Sequence, residues 1–256
     1  MAHATQFRWI SASRSHPGAV REVNEDALLE QPERGLWAVA DGMGGHSRGD
    51  MASRITIATL EHMPDAAGIE QALSEVHQRL QAVNHRLQME AALRDVGTIG
   101  TTVVVLLAAG ARCAYLWAGD SRIYLYRDGK LLQLTHDHSV VGELMAKGAL
   151  SPQQAASHPS RNLITRAIGA MEALDAEDGA IDAAPGDMFL LCSDGLSNEV
   201  GADEIAQTLD SHDCRLAAQR LVDLALAHGG RDNVSVVVAM MEDAAAHDRT
   251  VLNPAL

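Results

Sequence analysis

The sequence predicts an α+β layered domain, with sheets packed together and helix pairs outside them. Two observations lead there. Strand-like runs are numerous and short, and several are joined by turns too tight to hold a crossover helix. Helical stretches come in blocks rather than alternating one for one with strands. Parallel strands need a long crossover, so a doubly wound nucleotide fold is disfavoured.

In chain order, strands are expected at about 7–13, 27–30 and 35–40, the third being the apolar run Leu36 to Ala40 that drives into Asp41. A helix over about 49–63 follows. Pro64 and Gly68 separate it from a long amphipathic helix over 69–93, where Ile69, Ala72, Leu73, Val76, Leu80, Val83 and Leu87 recur at helical spacing. Strands at about 100–108, 112–118, 121–127 and 130–134 come next. They are linked by "AAGA" after residue 107, "AGDS" at 118–121 and "RDGK" at 127–130. Asp128-Gly129 is a two-residue hairpin signal, and neighbours joined this tightly are expected to run antiparallel. Residues 139–170 read as an inserted flap with short helical pieces, a helix start at Ser151-Pro152, and Pro159. A strand at 187–193 precedes a helix marked by Leu216, Leu221, Leu224 and Ala225 and stopped by Gly229-Gly230. A strand at 234–241 closes a domain expected to span 1–242, and 243–256 is expected to be a loose tail. No internal repeat is evident.

Composition narrows the function. The chain has 256 residues, 47% of them hydrophobic but only 3% aromatic, so its core is aliphatic with methionine as filler. A formal net charge of −14 argues against nucleic acid or an anionic membrane as the main partner, because both require a basic face. Cys113, Cys192 and Cys214 lie far apart without CxxC spacing, which suits a reducing cytosol and argues against a disulfide scaffold or a thiolate zinc site. The first ten residues hold no apolar signal core, and runs such as "VVVLLAA" at 103–109 are too short to span a bilayer. A soluble cytoplasmic protein is expected.

The acidic residues carry the chemistry. Asp41 ends an apolar run and is followed by Gly42. Asp120 follows Gly119 in a turn, Asp194 ends "MFLLCS" and precedes Gly195, and Asp232 stands just before "VSVVVAMM". Asp26 comes immediately before the strand at 27–30. Singly, each Asp-Gly is ordinary turn chemistry. Together, carboxylates at successive strand ends can converge on one rim, where they repel unless cations neutralise them. Oxygen donors without a His or Cys cluster suit Mg²⁺ or Mn²⁺ better than zinc, and Gly42 leaves its backbone carbonyl accessible to an ion.

Six motifs, in order, are "GAVREVNEDA" at 18–27, "VADGMGGH" at 39–46, "GTT" at 100–102, "WAGDSRIYLYRDGKLLQLTHDHS" at 117–139, "LLCSDGL" at 190–196 and "GGRDNVSVVV" at 229–238. In this order and spacing the chain resembles the metal-dependent protein phosphatases (PPM, type 2C) that act on phosphoserine and phosphothreonine, in the style of their compact bacterial branch. The resemblance implies a central β-sandwich of two antiparallel sheets flanked by helix pairs, in α-β-β-α layers. It implies Asp41 bridging two metals, the Gly42 carbonyl on the second, and Asp194 and Asp232 on the first. Asp120 with Asp194 matches the third-metal position of bacterial members. Arg21 matches the clamp on substrate phosphate, Glu25 and Asp26 the pair holding metal-bound water, and Asn233 the partner of the last Asp. The implied reaction is attack on phosphorus by water activated between two Mn²⁺ or Mg²⁺ ions about 4 Å apart. Implied partners are phosphoserine and phosphothreonine proteins and an opposing Ser/Thr kinase.

One departure concerns the proton. Many eukaryotic members carry a general-acid His beyond the first acidic motif, whereas Met43 follows Asp41-Gly42 here, leaving His46 as the nearest candidate. His136 and His138 suggest ligands but are read as ordering the flap entrance. Arg161 and Arg166 either steer phosphopeptide or form a solvated face. A serine hydrolase would need G-x-S-x-G, which is absent. "GMGGHSRG" lacks the Lys-Ser/Thr of a phosphate loop. The remaining alternative is a catalytically weak, phosphatase-like regulatory or binding module, which would be expected to have lost metal carboxylates that this chain retains.

Overall fold

The computed structural model, which describes residues 7–44, 48–151, 154–155, 158–160 and 163–243, stacks two antiparallel sheets. The first runs β1 (Phe7–His16), β11 (Val234–Asp243), β10 (Met188–Cys192), β7 (Arg122–Arg127) and β8 (Lys130–Gln133). The second runs β2 (Asp26–Gln31), β3 (Leu36–Met43), β5 (Val103–Ala109), β6 (Arg112–Ala118) and β9 (Glu177–Asp182), with β4 (Gly100–Thr101) paired to the end of β3. Helices α1 (Arg48–Glu61) and α2 (Ile69–Leu93) cover the second sheet. Helices α5 (Ala202–Leu209) and α6 (Cys214–Ala227) cover the first. Two short helices, α3 (Val140–Ala146) and α4 (Asp194–Ser197), lie near the sheet ends described below. Among the described residues no helix is long and apolar enough to cross a membrane.

Each central strand serves two cores, which is why it reads as a continuous apolar run rather than an alternation. In β11, Val237, Ala239 and Met241 join Trp37, Leu106 and Phe189 between the sheets, whereas Val236, Val238 and Met240 face α5 and α6. In β3, Trp37 and Val39 point inward while Ala38 and Ala40 meet α1 and α2. The helical residues Val76, Leu80, Val83 and Leu87 form the buried stripe of α2. Helix α6 begins where the Asp213 side chain accepts the Leu216 N–H at 2.9 Å, and Gly229 and Gly230 follow it with positive φ. Between β7 and β8, Asp128 and Gly129 both have positive φ, as a two-residue hairpin of this hand requires.

The structure corrects one connection. The "AGDS" turn does not join a paired hairpin: β6 pairs with β5 and β9, whereas β7 pairs with β10 and β8. The chain crosses from one sheet to the other through Gly119-Asp120-Ser121, a step that a left-handed glycine (φ 113°) makes possible. The strand expected over 100–108 is broken at Thr102 into β4 and β5. Among the described residues, strand β9 and helices α4 and α5 were not expected from the sequence. Strand β9 contains Asp and Gly at positions where strands ordinarily carry branched residues, and among the described residues it is an edge strand paired to β6. Helix α5 is eight residues long, its first turn fastened by Glu204, whose carboxylate accepts the Gly201 N–H at 3.2 Å.

The flap contains α3, whose Ser139 hydroxyl caps Gly142 N–H at 3.0 Å, and is tied back by bridges from Ser139 to Ile164 and Thr101 to Ile168. Ser151 and Gln154 exchange backbone-to-side-chain bonds of 2.9 and 3.3 Å. His46, Pro152, Arg161 and the tail from 244 lie outside the described residues.

Helix α1 approaches β3 through two glycines. A Cβ on Gly42 would lie 2.1 Å from the Gly49 carbonyl oxygen, and one on Gly49 would lie 2.6 Å from Gly42 backbone. Gly49→Ala is expected to cost about 1–3 kcal/mol of overpacking, although alanine in a helix ordinarily gains about 1 kcal/mol over glycine. Urea unfolding checks the sign; a stabilised variant would show that α1 does not rest on β3 through this contact.

Candidate metal centre

All five aspartates singled out from the sequence reach one end of the sandwich. Asp41 lies near the end of β3, and Asp26, the first residue of β2, is its direct register partner. Asp194 opens α4 two residues after the end of β10, and Asp232 stands two residues before β11. Asp120 sits on the crossover between sheets. The carboxylates act on one another: Asp41 is held well above the usual carboxylate range by burial and by the charges of Asp26, Asp194, Asp120 and Asp232. Burial raises Asp26 to about 7, with Asp194 and Asp232 contributing. Burial followed by the charge of Asp194 raises Asp120 to about 7. Asp194 is raised by burial and by Asp232.

Backbone and side-chain bonds fix these groups in place. The backbone N–H of Asp41 donates to Thr102 Oγ1 at 3.1 Å, and its carbonyl accepts from Thr101 Oγ1 and Thr102 N–H, each at 2.9 Å. Ser193 Oγ donates to Asp26 Oδ2 at 2.8 Å, which ties the two sheets together across the rim. Asn198, one helical turn after Asp194, donates to its carboxylate at 3.1 Å. Asn233 fastens a loop: its Oδ1 accepts Glu25 N–H at 2.8 Å, and its amide donates to the Pro17 and Val23 carbonyls, each at 2.9 Å. That loop carries Arg21, whose guanidinium donates to Asp232 at 2.8 Å and is 56% exposed, so it faces both the cluster and solvent. Gly42 N–H donates to the Glu25 carbonyl at 3.2 Å, linking the two acidic motifs.

The donor set fits divalent cations. Glu25 Oε1, Asp26 Oδ1 and Asp120 Oδ1 are buried oxygens without a hydrogen-bond partner. Unpaired buried acceptors beside mutually repelling carboxylates are stabilised by hard cations, and all the converging groups offer oxygen. The sequence reading brought together Asp41, Gly42, Asp120, Asp194, Asp232, Glu25, Asp26, Asn233 and Arg21. It missed the supports Thr101, Thr102, Ser193, Asn198 and the pair Arg122–Asp137. The motifs at 100–102, 117–139 and 190–196 contain all of these except Asn198, but nothing in their spacing shows which atoms they hold. A groove of about 450 Å³ runs from Asp194 and Asp232 along Val141 and Met145 of α3, past Asn198 and Arg231.

A second cluster, His136, His138 and Glu177, has its potential ligand atoms within 4.8 Å of one another. It lies at the flap entrance, where the sequence reading put the two histidines.

The family model of protein phosphatase 2C matches residues 14–225. The chain is similar to the serine/threonine protein phosphatase PstP of Mycobacterium tuberculosis, 40% identical over 233 residues. That match covers 91% of this chain but 45% of the relative, so the chain spans about half the length of that protein. Among solved structures, PppA, a key regulatory component of T6SS in Pseudomonas aeruginosa, superposes with a TM-score of 0.86 at 42% identity, covering 91% of this chain and 98% of that one. The catalytic domain of a PstP in complex with two manganese ions superposes with a TM-score of 0.84 at 38% identity, covering 93% and 100%.

The raised carboxylates set a pH dependence for protein stripped of metal. Above the ordinary aspartate value of 3.8 the unfolded chain releases protons that the folded cluster retains. The cluster's contribution to stability therefore falls as pH rises towards about 7, the value for Asp26 and Asp120. In chelator, Asp41→Asn is expected to melt above the wild type by about 3 °C or more at neutral pH, with the difference shrinking under mild acid. Paired thermal melts check this; a variant that melts lower at every pH would contradict the repulsion.

Proposed function

This chain belongs to the protein phosphatase 2C family, and from that premise we propose that it is a metal-dependent phosphatase of phosphoserine and phosphothreonine proteins. Four carboxylates acting on Asp41, beside buried oxygens without partners, are the observation that carries the reading. Asp41 would bridge two ions, with the Gly42 carbonyl on one and Asp194 and Asp232 completing the other. Asp120 with Asp194 would take a third, and Glu25 and Asp26 would orient waters between protein and ion. When bound, Mn²⁺ or Mg²⁺ supplies concentrated positive charge and a water acidified towards neutral pH.

The chain's own residues do the rest. Arg21 offers a planar fork to the non-bridging phosphate oxygens, and its present partner, Asp232, sets it at the edge of the cluster. Asn233 keeps the Arg21 loop against the Asp232 loop, an arrangement supported by the Ala19 N–H to Gly230 carbonyl bond of 2.7 Å. The groove beside α3 is placed to receive the polypeptide flanking the phosphoresidue. The catalytic domain on this reading is 1–242 with its flap at 139–170. Its partners are phosphoproteins of a Ser/Thr kinase pathway. The cytoplasm is the compartment we assign, supported by three buried free cysteines.

Protein stripped with chelator should be inert towards a phosphothreonine peptide and p-nitrophenyl phosphate, and Mn²⁺ or Mg²⁺ should restore it. Full turnover without metal would sink the reading. Asp41→Asn and Asp232→Asn should each lower kcat by about 10²-fold or more, with folding preserved by circular dichroism. Arg21→Ala should raise KM about tenfold and change kcat less; an unchanged KM removes Arg21 from phosphate binding.

A further inference from the structure

Every residue flanking Asp120 is gripped. The hydroxyls of Ser121 and Thr102 are 2.7 Å apart. Asp137 holds the Arg122 guanidinium through two bonds of 2.8 and 2.6 Å. Gly119 is held at both of its backbone groups by one residue: its carbonyl accepts the His138 N–H at 2.9 Å, and its N–H donates to His138 Nδ1 at 3.3 Å. His138 is almost completely buried, its ring stacked on Trp117 with centroids 5.7 Å apart.

The contact with Gly119 assigns the tautomer. Because Nδ1 accepts, the proton of the neutral ring sits on Nε2, which faces Glu177 Oε1 at 3.2 Å. Burial, followed by the charge of Arg166, lowers the His138 pKa and so favours that neutral ring. Arg166 donates to the same Glu177 oxygen at 2.7 Å. These bonds also explain why the His136–His138–Glu177 cluster is not read as a cation site. The lone pair at Nδ1 is engaged by Gly119, Nε2 carries the proton, and a guanidinium already covers the shared carboxylate oxygen. The arrangement is a relay, Arg166 to Glu177 to His138 to the Gly119 backbone, that ends one residue from Asp120.

We propose that His138 is a positioning residue for Asp120, fixing through Nδ1 the turn that presents this carboxylate to an ion shared with Asp194. The proposal rests on the reading of Asp120 as a metal ligand. A carboxylate on a free turn would swing away from neighbours that raise its energy, and the low charge density of a site with few protein ligands could not hold it. The relay removes that freedom before any ion arrives. Asp137 and His138 also open the flap, whose far side returns through the Thr165 N–H to His138 carbonyl bond of 2.8 Å. Flap entrance and carboxylate turn are therefore one hydrogen-bonded unit.

The test compares two variants that keep different halves of the imidazole. His138→Asn keeps an acceptor where Nδ1 stands, and His138→Gln keeps the reach to Glu177 without that acceptor. Binding of Mn²⁺ to metal-stripped protein is followed by the electron paramagnetic resonance of the free ion, and hydrogen exchange of the Gly119 amide is measured alongside. The expected result is that His138→Gln weakens the weakest class of bound Mn²⁺ about tenfold, leaves the tighter classes unchanged, and exposes the Gly119 amide. His138→Asn should stay near the wild type in both. Gln bound like wild type, or Asn as impaired as Gln at equal melting temperature, overturns the proposal. Asp120→Ala in the same titration separates the two failures. If it removes no class of ion, the ligand reading of Asp120 falls, and the proposal with it. If it removes the weakest class while His138→Gln does not disturb it, the positioning role alone is overturned.

Discussion

Mutual repulsion among buried carboxylates is the constraint on which the rest of this structure depends. Asp26, Asp41, Asp120 and Asp194 are all pushed up by burial and by the charges of neighbouring aspartates, Asp232 among them, so the folded chain carries a local electrostatic cost at one end of its sandwich. Such a cluster persists only where the surrounding scaffold denies each carboxylate an escape into solvent. Two double-faced sheets, packed on helices on both outer sides, provide that scaffold.

The scaffold reaches the rim through backbone-to-backbone proximity rather than through large side chains. Added Cβ atoms on Gly18, Gly42 and Gly195 would lie 2.2 Å or less from the carbonyl oxygens of Asp232, Gly49 and Asn233. These contacts weld the Arg21 loop to the Asp232 loop, α1 to β3, and α4 to the start of β11. Glycine next to aspartate therefore has a packing cause in addition to any access it gives to an ion. The bond from Ser193 to Asp26 then crosses from one sheet to the other, so the relative placement of the sheets and the spacing of the carboxylates are linked.

Much of this was legible in residue order. Long apolar runs that stop at an aspartate marked the strand ends, and hairpin signals such as Asp128-Gly129 fixed antiparallel pairing where the turn was local. The crossover at Gly119-Ser121 was not legible, because a four-residue link between two strands ordinarily means a hairpin. Whether the strands pair or part depends on contacts made by Thr102, Asp137 and His138, all distant in sequence or across the turn. Strand β9 was hidden for a related reason: an edge strand needs only one partner, and its own residues carry little preference.

By itself, the sequence determined the residue types of the site, the antiparallel layered class, and the excess of acid that calls for cations. Those follow from local patterns and from charge, which need no coordinates. Tertiary structure alone decided which carboxylates are buried within reach of one another's charge, that Asp120 lies between sheets, and that His138 accepts rather than donates at Nδ1. Each of those is a relation between groups far apart along the chain. The direction of a hydrogen bond or the overlap of two electric fields exists only once folding has brought the partners within a few ångströms.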